Sequence, residues 1–161
     1  MAGQSVAATP AQTTTVTDRH VLAPQGIPLL LRYEAGAAGR PAVIMLHGWG
    51  GNKERFQKML ALDDRFVAVY LDLPGHGERP PLAEYADGVR QQVSGVVQRM
   101  AAEVAVVVDF LRQRPEVDGA RIGLCGWSLG GFAALLALTE RPGVQAAVAI
   151  AAPHSARLVH Q

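Results

Sequence analysis

Cysteine is nearly absent: the chain holds one, Cys125, among 161 residues. That excludes an internal disulfide framework and a multi-cysteine metal centre. Charge is scarce at 18%, and the 15 basic residues almost balance the 14 acidic ones, for a net of +1. No basic surface of the kind that binds nucleic acid or an anionic membrane is expected. No run of about 18 apolar residues occurs, so no transmembrane helix is expected. The opening stretch has no basic residue before Arg19 and no apolar run of signal-peptide length, which points to a flexible arm over residues 1–15 and a cytoplasmic protein. Apolar residues are plentiful at 49%. A single domain over residues 16–161 can therefore build a core, burying roughly 70% of its unfolded surface.

The apolar residues are grouped in two ways. Val16–Leu22 and Ile27–Tyr33 flank Pro24-Gln25-Gly26 and read as two strands around a turn. Pro41–Leu46, Phe66–Leu71, Arg121–Cys125 and Val144–Ala151 are continuous apolar runs. Continuity rather than alternation predicts strands covered on both faces. Between them lie helical patterns: Phe56, Met59 and Leu60; then Val93, Val97, Met100, Val104, Val107, Val108 and Leu111 within residues 87–114; then 132–140. Pro115 ends the longest of these. Buried strands alternating with helices predict an α/β fold, a mostly parallel sheet with flanking helices.

The sharpest chemical signal is Gly126-Trp127-Ser128-Leu129-Gly130, a G-x-S-x-G pattern between an apolar strand and a small-residue helix. Such a turn lifts a serine out at the end of a strand. The following helix N-terminus offers free N–H groups to a developing oxyanion. The alternative is a glycine-rich turn whose serine caps a helix.

Two further motifs stand in order before it: Leu46-His47-Gly48-Trp49-Gly50-Gly51 and Asp72-Leu73-Pro74-Gly75-His76-Gly77-Glu78-Arg79. With these three motifs, over residues 41–153, the sequence resembles the α/β-hydrolase family. The His-Gly-Glu-Arg ending resembles esterases near the prolyl-oligopeptidase and dienelactone-hydrolase branches. The resemblance implies a serine hydrolase that takes a small-molecule carboxylic ester, with no metal and no cofactor. Ser128 would be the nucleophile and the backbone N–H groups of Trp49 and Leu129 the oxyanion hole. Gly126 and Gly130 would shape the elbow, and His47 and Gly48 the loop, His47 as an orienting residue. Trp127 and His76 are pocket candidates; packing for Trp127 and turn hydrogen bonding for His76 are the other readings. Asp72 is expected to fix its loop through backbone N–H groups, and Cys125 to be a small buried hydrophobe.

The family order places an acid and then a histidine after the serine. Glu140 is the one acid after Ser128, but twelve helical residues at about 1.5 Å each put it some 18 Å away. His154 follows a strand expected beside the elbow strand, about 4.8 Å off, and is the candidate base. His160 is near the end. The chain reads as an α/β-hydrolase fold lacking its last strands, so weak or no activity is expected of it alone. The rival reading is a non-catalytic binding module, or a fragment completed at an exposed sheet edge by a second copy or another chain. A phosphate-binding reading of the glycine loop lacks both a P-loop Gly-Lys-Ser/Thr and an acidic ribose partner.

Overall fold

The computed structural model describes residues 15–82, 89–140 and 143–150. The arm up to residue 14, the expected helix start at residue 87, His154 and His160 lie outside them. Six strands form one sheet: β1 (Val16–Ala23), β2 (Ile27–Glu34), β3 (Arg40–Leu46), β4 (Val67–Leu71), β5 (Val117–Trp127) and β6 (Ala146–Ile150), in the order β1-β2-β4-β3-β5-β6. The β1–β2 and β2–β4 pairs are antiparallel. The β4–β3, β3–β5 and β5–β6 pairs are parallel. Three helices accompany them: α1 (Lys53–Met59), α2 (Val89–Leu111) and α3 (Leu129–Glu140).

Strand alternation sorts the core into two layers. Leu29, Leu31, Ile44, Leu46, Val69 and Leu71 pack toward α2 and α3. Leu30, Met45, Ala68, Tyr70 and Cys125 face the other way, with Phe56 of α1. From α2, Val97, Met100, Val104, Val107, Val108 and Leu111 are buried, the periodic face expected of it. No helix among the described residues is long and apolar enough to cross a membrane.

Three boundaries depart from the sequence reading. The long helix stops at Leu111, not Arg114, because the N–H groups of Gln113 and Arg114 turn back to Phe110 and Leu111 in tighter bonds. Strand β5 begins four residues before Arg121. Its register with β3 shifts between Arg40 and Ala42, and an Asp118–Arg121 ion pair of 2.6 Å closes the irregular stretch. Helix α3 begins at Leu129 rather than Phe132; Gly130 and Gly131, which read as turn residues, are its first small residues. A fourth difference is one of environment. The strand expected to be buried over Val144–Ala151 is β6, and its residues are exposed or half-buried, with Val148 56% exposed. Its Ala-Ala-Val-Ala-Ile composition suits a covered strand, but among the described residues it stands at the end of the sheet.

Candidate active site

The C-terminal ends of β3, β4 and β5 lie side by side, with Leu46 paired to Leu71 on one side and to Gly126 on the other. The three motifs therefore leave the sheet at one place, where parallel sheets present their sites. Ser128 follows β5 directly and has φ +50°, a left-handed backbone that a non-glycine residue adopts under strain. Its carbonyl accepts the N–H of Gly131 at 2.9 Å, opening α3, and its own N–H donates to Ile150 O at 2.8 Å. The elbow is thus tied forward to its helix and sideways to β6.

Two glycines make that turn sterically feasible. A Cβ on Gly126 would strike the carbonyl of Gly130, and one on Gly130 would strike the carbonyl of Leu46. Both obstacles are backbone. The oxyanion loop sits as close: a Cβ on Gly48 would lie 2.9 Å from Trp127 Cδ1 and 3.3 Å from Ser128 Cβ.

A pocket of about 460 Å³ opens over Ser128. Gly48, Trp49, Gly50 and Gly51 form one wall and Trp127 another. Asn52, Arg55, Phe56 and Met59, at and within α1, complete it. These α1 residues were not singled out as site residues from sequence. The one available signal was that they immediately follow the His-Gly-Trp-Gly-Gly loop. Leu129 is buried beneath the elbow, and Trp49 is 44% exposed.

His47 is buried beside this pocket. Its Nδ1 is 2.7 Å from Gly48 O, and its Nε2 accepts the N–H of Leu73 at 3.2 Å. One nitrogen donates and the other accepts, so the ring is neutral. Burial pushes its pKa from 6.5 down to about 4, against the raising effect of the Gly48 carbonyl. With both nitrogens engaged, His47 joins the two loops and has no free nitrogen to take a proton. His76 is also buried, its Nδ1 2.8 Å from Pro74 O. Its ring meets Trp49 edge-on at 5.3 Å, behind that indole rather than on the pocket wall.

Below the loops lies an ionic knot. Asp72, fully buried, accepts the backbone N–H of Lys53 at 2.8 Å, that of Glu78 at 3.1 Å, and the Lys53 ammonium at 2.8 Å. Lys53, only 1% exposed, also reaches Glu78 at 2.7 Å and Glu54 at 2.9 Å. Burial works against its charge, but the hydrogen bonds to Asp72, Glu78 and Glu54 prevail and hold its pKa above the ordinary lysine value. Arg79 grips Glu103 of α2 through two bonds of 2.6 and 2.7 Å. Gly77 is required here because a Cβ would collide with the Asp72 carboxylate.

Among the described residues, His20, Glu54 and Glu78 bring possible metal-ligand atoms within 4.8 Å of one another. The Lys53 ammonium already sits against both carboxylates. Glu140 is exposed at the end of α3, the position expected of it.

Residues 43–160 match the model of the alpha/beta hydrolase family. The chain belongs to that family. The 2,6-dihydropseudooxynicotine hydrolase of Paenarthrobacter nicotinovorans is 33% identical over 135 residues, 81% of this chain and 34% of that protein. The pimeloyl-(acyl-carrier protein) methyl ester esterase of Methylococcus capsulatus is 32% identical over 111 residues, 68% of this chain and 36% of that one. Thus the chain spans about a third of the length of these curated relatives. Among solved structures, TT1662 from Thermus thermophilus superposes with a TM-score of 0.64 at 29% identity, over 84% of this chain and 57% of that chain. The dienelactone hydrolase-like promiscuous phosphotriesterase P91, at 23% identity and a TM-score of 0.65 over 89% of this chain and 63% of that one, shares the fold.

Proposed function

We propose that this chain carries the nucleophile and oxyanion loop of a serine hydrolase that cleaves carboxylic esters. The supporting observation is the strained Ser128 at the end of β5, placed at a pocket whose other wall is the Gly48–Gly51 loop. In this reading Ser128 Oγ attacks the ester carbonyl and its proton passes to a base. The N–H groups of Trp49 and Leu129 hold the oxyanion, each such donor contributing about 3 kcal/mol in the transition state. The C–O bond to the alcohol breaks, the alcohol takes the proton, and water then hydrolyses the acyl-serine. The base is a histidine other than His47, whose nitrogens are both engaged; His154, which follows β6 in sequence, is the candidate within this chain.

A fluorophosphonate probe tests the reading. Labelling at Ser128, lost in Ser128→Ala, supports it, and a silent serine overturns it. Among the described residues no carboxylate lines the pocket, so slow turnover of p-nitrophenyl acetate by this chain is part of the proposal. Turnover matching a complete esterase, and dependent on Ser128, would overturn that part.

The exposed and half-buried residues of β6, at the end of the sheet among the described residues, favour a second reading, a non-catalytic module or a fragment completed at that strand by a dimer partner or another chain. Light scattering after size exclusion separates the two assemblies: a clean monomer counts against the dimer.

A further inference from the structure

The described arginines are almost all partnered. Arg32 pairs with Asp18, Arg40 with Glu34, Arg65 with Asp63 and Arg79 with Glu103. Arg112, Arg114 and Arg121 pair with Asp109, Glu116 and Asp118. Arg55 is different. Its backbone N–H is held by the Asn52 side chain at 2.8 Å, which fixes it in the first turn of α1. Its guanidinium, however, has no partner among the described residues, and the side chain lines the pocket over Ser128.

The rest of that lining carries no compensating charge. It holds no carboxylate among the described residues, and its one other titratable group, His47, is neutral. Arg55 is exposed at the rim of the pocket, whose lining it shares with the apolar side chains Trp49, Phe56, Met59 and Trp127. An uncompensated guanidinium at the rim of a pocket without a carboxylate attracts an anion. The planar fork favours two-point contact with a carboxylate.

We infer that Arg55 is a specificity-determining residue that selects substrates bearing a carboxylate on an apolar chain. This rests on the ester-hydrolase reading of the same pocket and adds the substrate class: a half-ester of a dicarboxylic acid, with one end esterified at Ser128 and the other anionic at Arg55.

The two tryptophans of the chain, Trp49 and Trp127, both line the pocket, so binding can be read without turnover. The probes are monoethyl adipate and diethyl adipate, matched apart from the charge, titrated by tryptophan fluorescence. The monoester is expected to bind about tenfold more tightly than the diester. In Arg55→Gln the ratio of the two affinities falls toward one, and Arg55→Lys restores part of it. Added salt should narrow the ratio in the parent chain. Equal affinities in the parent, or an undiminished ratio in Arg55→Gln, overturn the inference. Fluorophosphonate labelling run beside it reads Ser128 separately. An inert serine with an intact anion preference refutes the hydrolase reading and leaves Arg55 as an anion site. A reactive serine with no preference does the reverse.

Discussion

Leu73 donates its backbone N–H to Nε2 of His47 at 3.2 Å, joining the loop after β4 to the loop after β3 across 26 residues of sequence. A protonated ring has no lone pair to accept that bond. The two loops therefore hold together through the neutral imidazole.

The pH dependence follows. His47 titrates near 4 when folded, lowered from 6.5 chiefly by burial. As pH falls below 6.5 the unfolded chain takes up this proton before the folded one. Stability that is complete above 6.5 is lost progressively down to about pH 4, by at most about 3 kcal/mol from this group. Urea midpoints at pH 7 and 4.5 measure the loss. His47→Gln should be less stable at pH 7 and should lose less between the two pH values than the parent.

Lys53 and Asp72 are expected to respond unequally to substitution. Asp72→Ala leaves a buried ammonium with one partner fewer and removes the acceptor of two backbone N–H groups. A cost of about 3–5 kcal/mol is expected, the range for breaking a buried pair. Lys53→Met leaves the carboxylate with both N–H donors, so it should cost less. Guanidinium denaturation of the two variants gives the order; equal costs would mean that the N–H bonds contribute little.

Alanine at Gly126 or Gly130 meets backbone carbonyls that cannot turn aside. Each change should cost about 3 kcal/mol or more, or abolish soluble folded protein. Gly95 is the control. It lies in α2 with nothing within 4 Å of an added Cβ, so Gly95→Ala should stabilise by up to about 1 kcal/mol. Thermal melts of the three variants would show the contrast.

Ser128 carries its left-handed backbone at a cost in stability. Ser128→Gly should raise the unfolding free energy by about 1 kcal/mol, whereas Ser128→Ala should not. Both should lose probe labelling. A Ser128→Gly chain no more stable than Ser128→Ala would show that the turn is not strained.

Much of the sheet was legible in the sequence. Strands β3 and β4 are continuous apolar runs because both their faces are covered, and the elbow is a local pattern fixed by steric needs within five residues. What was not legible depends on distant neighbours. Nothing local says that Lys53 is buried; its buried carboxylate partner, Asp72, is 19 residues away. Nothing in Arg55 marks it as unpaired, since pairing is settled by which acids the fold brings near. The exposure of β6 was missed for a like reason: its small apolar residues suit a covered strand, and only the strand order puts it at the end.

The bond from the Ser128 N–H to Ile150 O bears on how the elbow opens. The serine amide has this acceptor only while β6 is docked against β5. In hydrogen exchange, the Ser128 amide should open together with β6 rather than with the middle of β5.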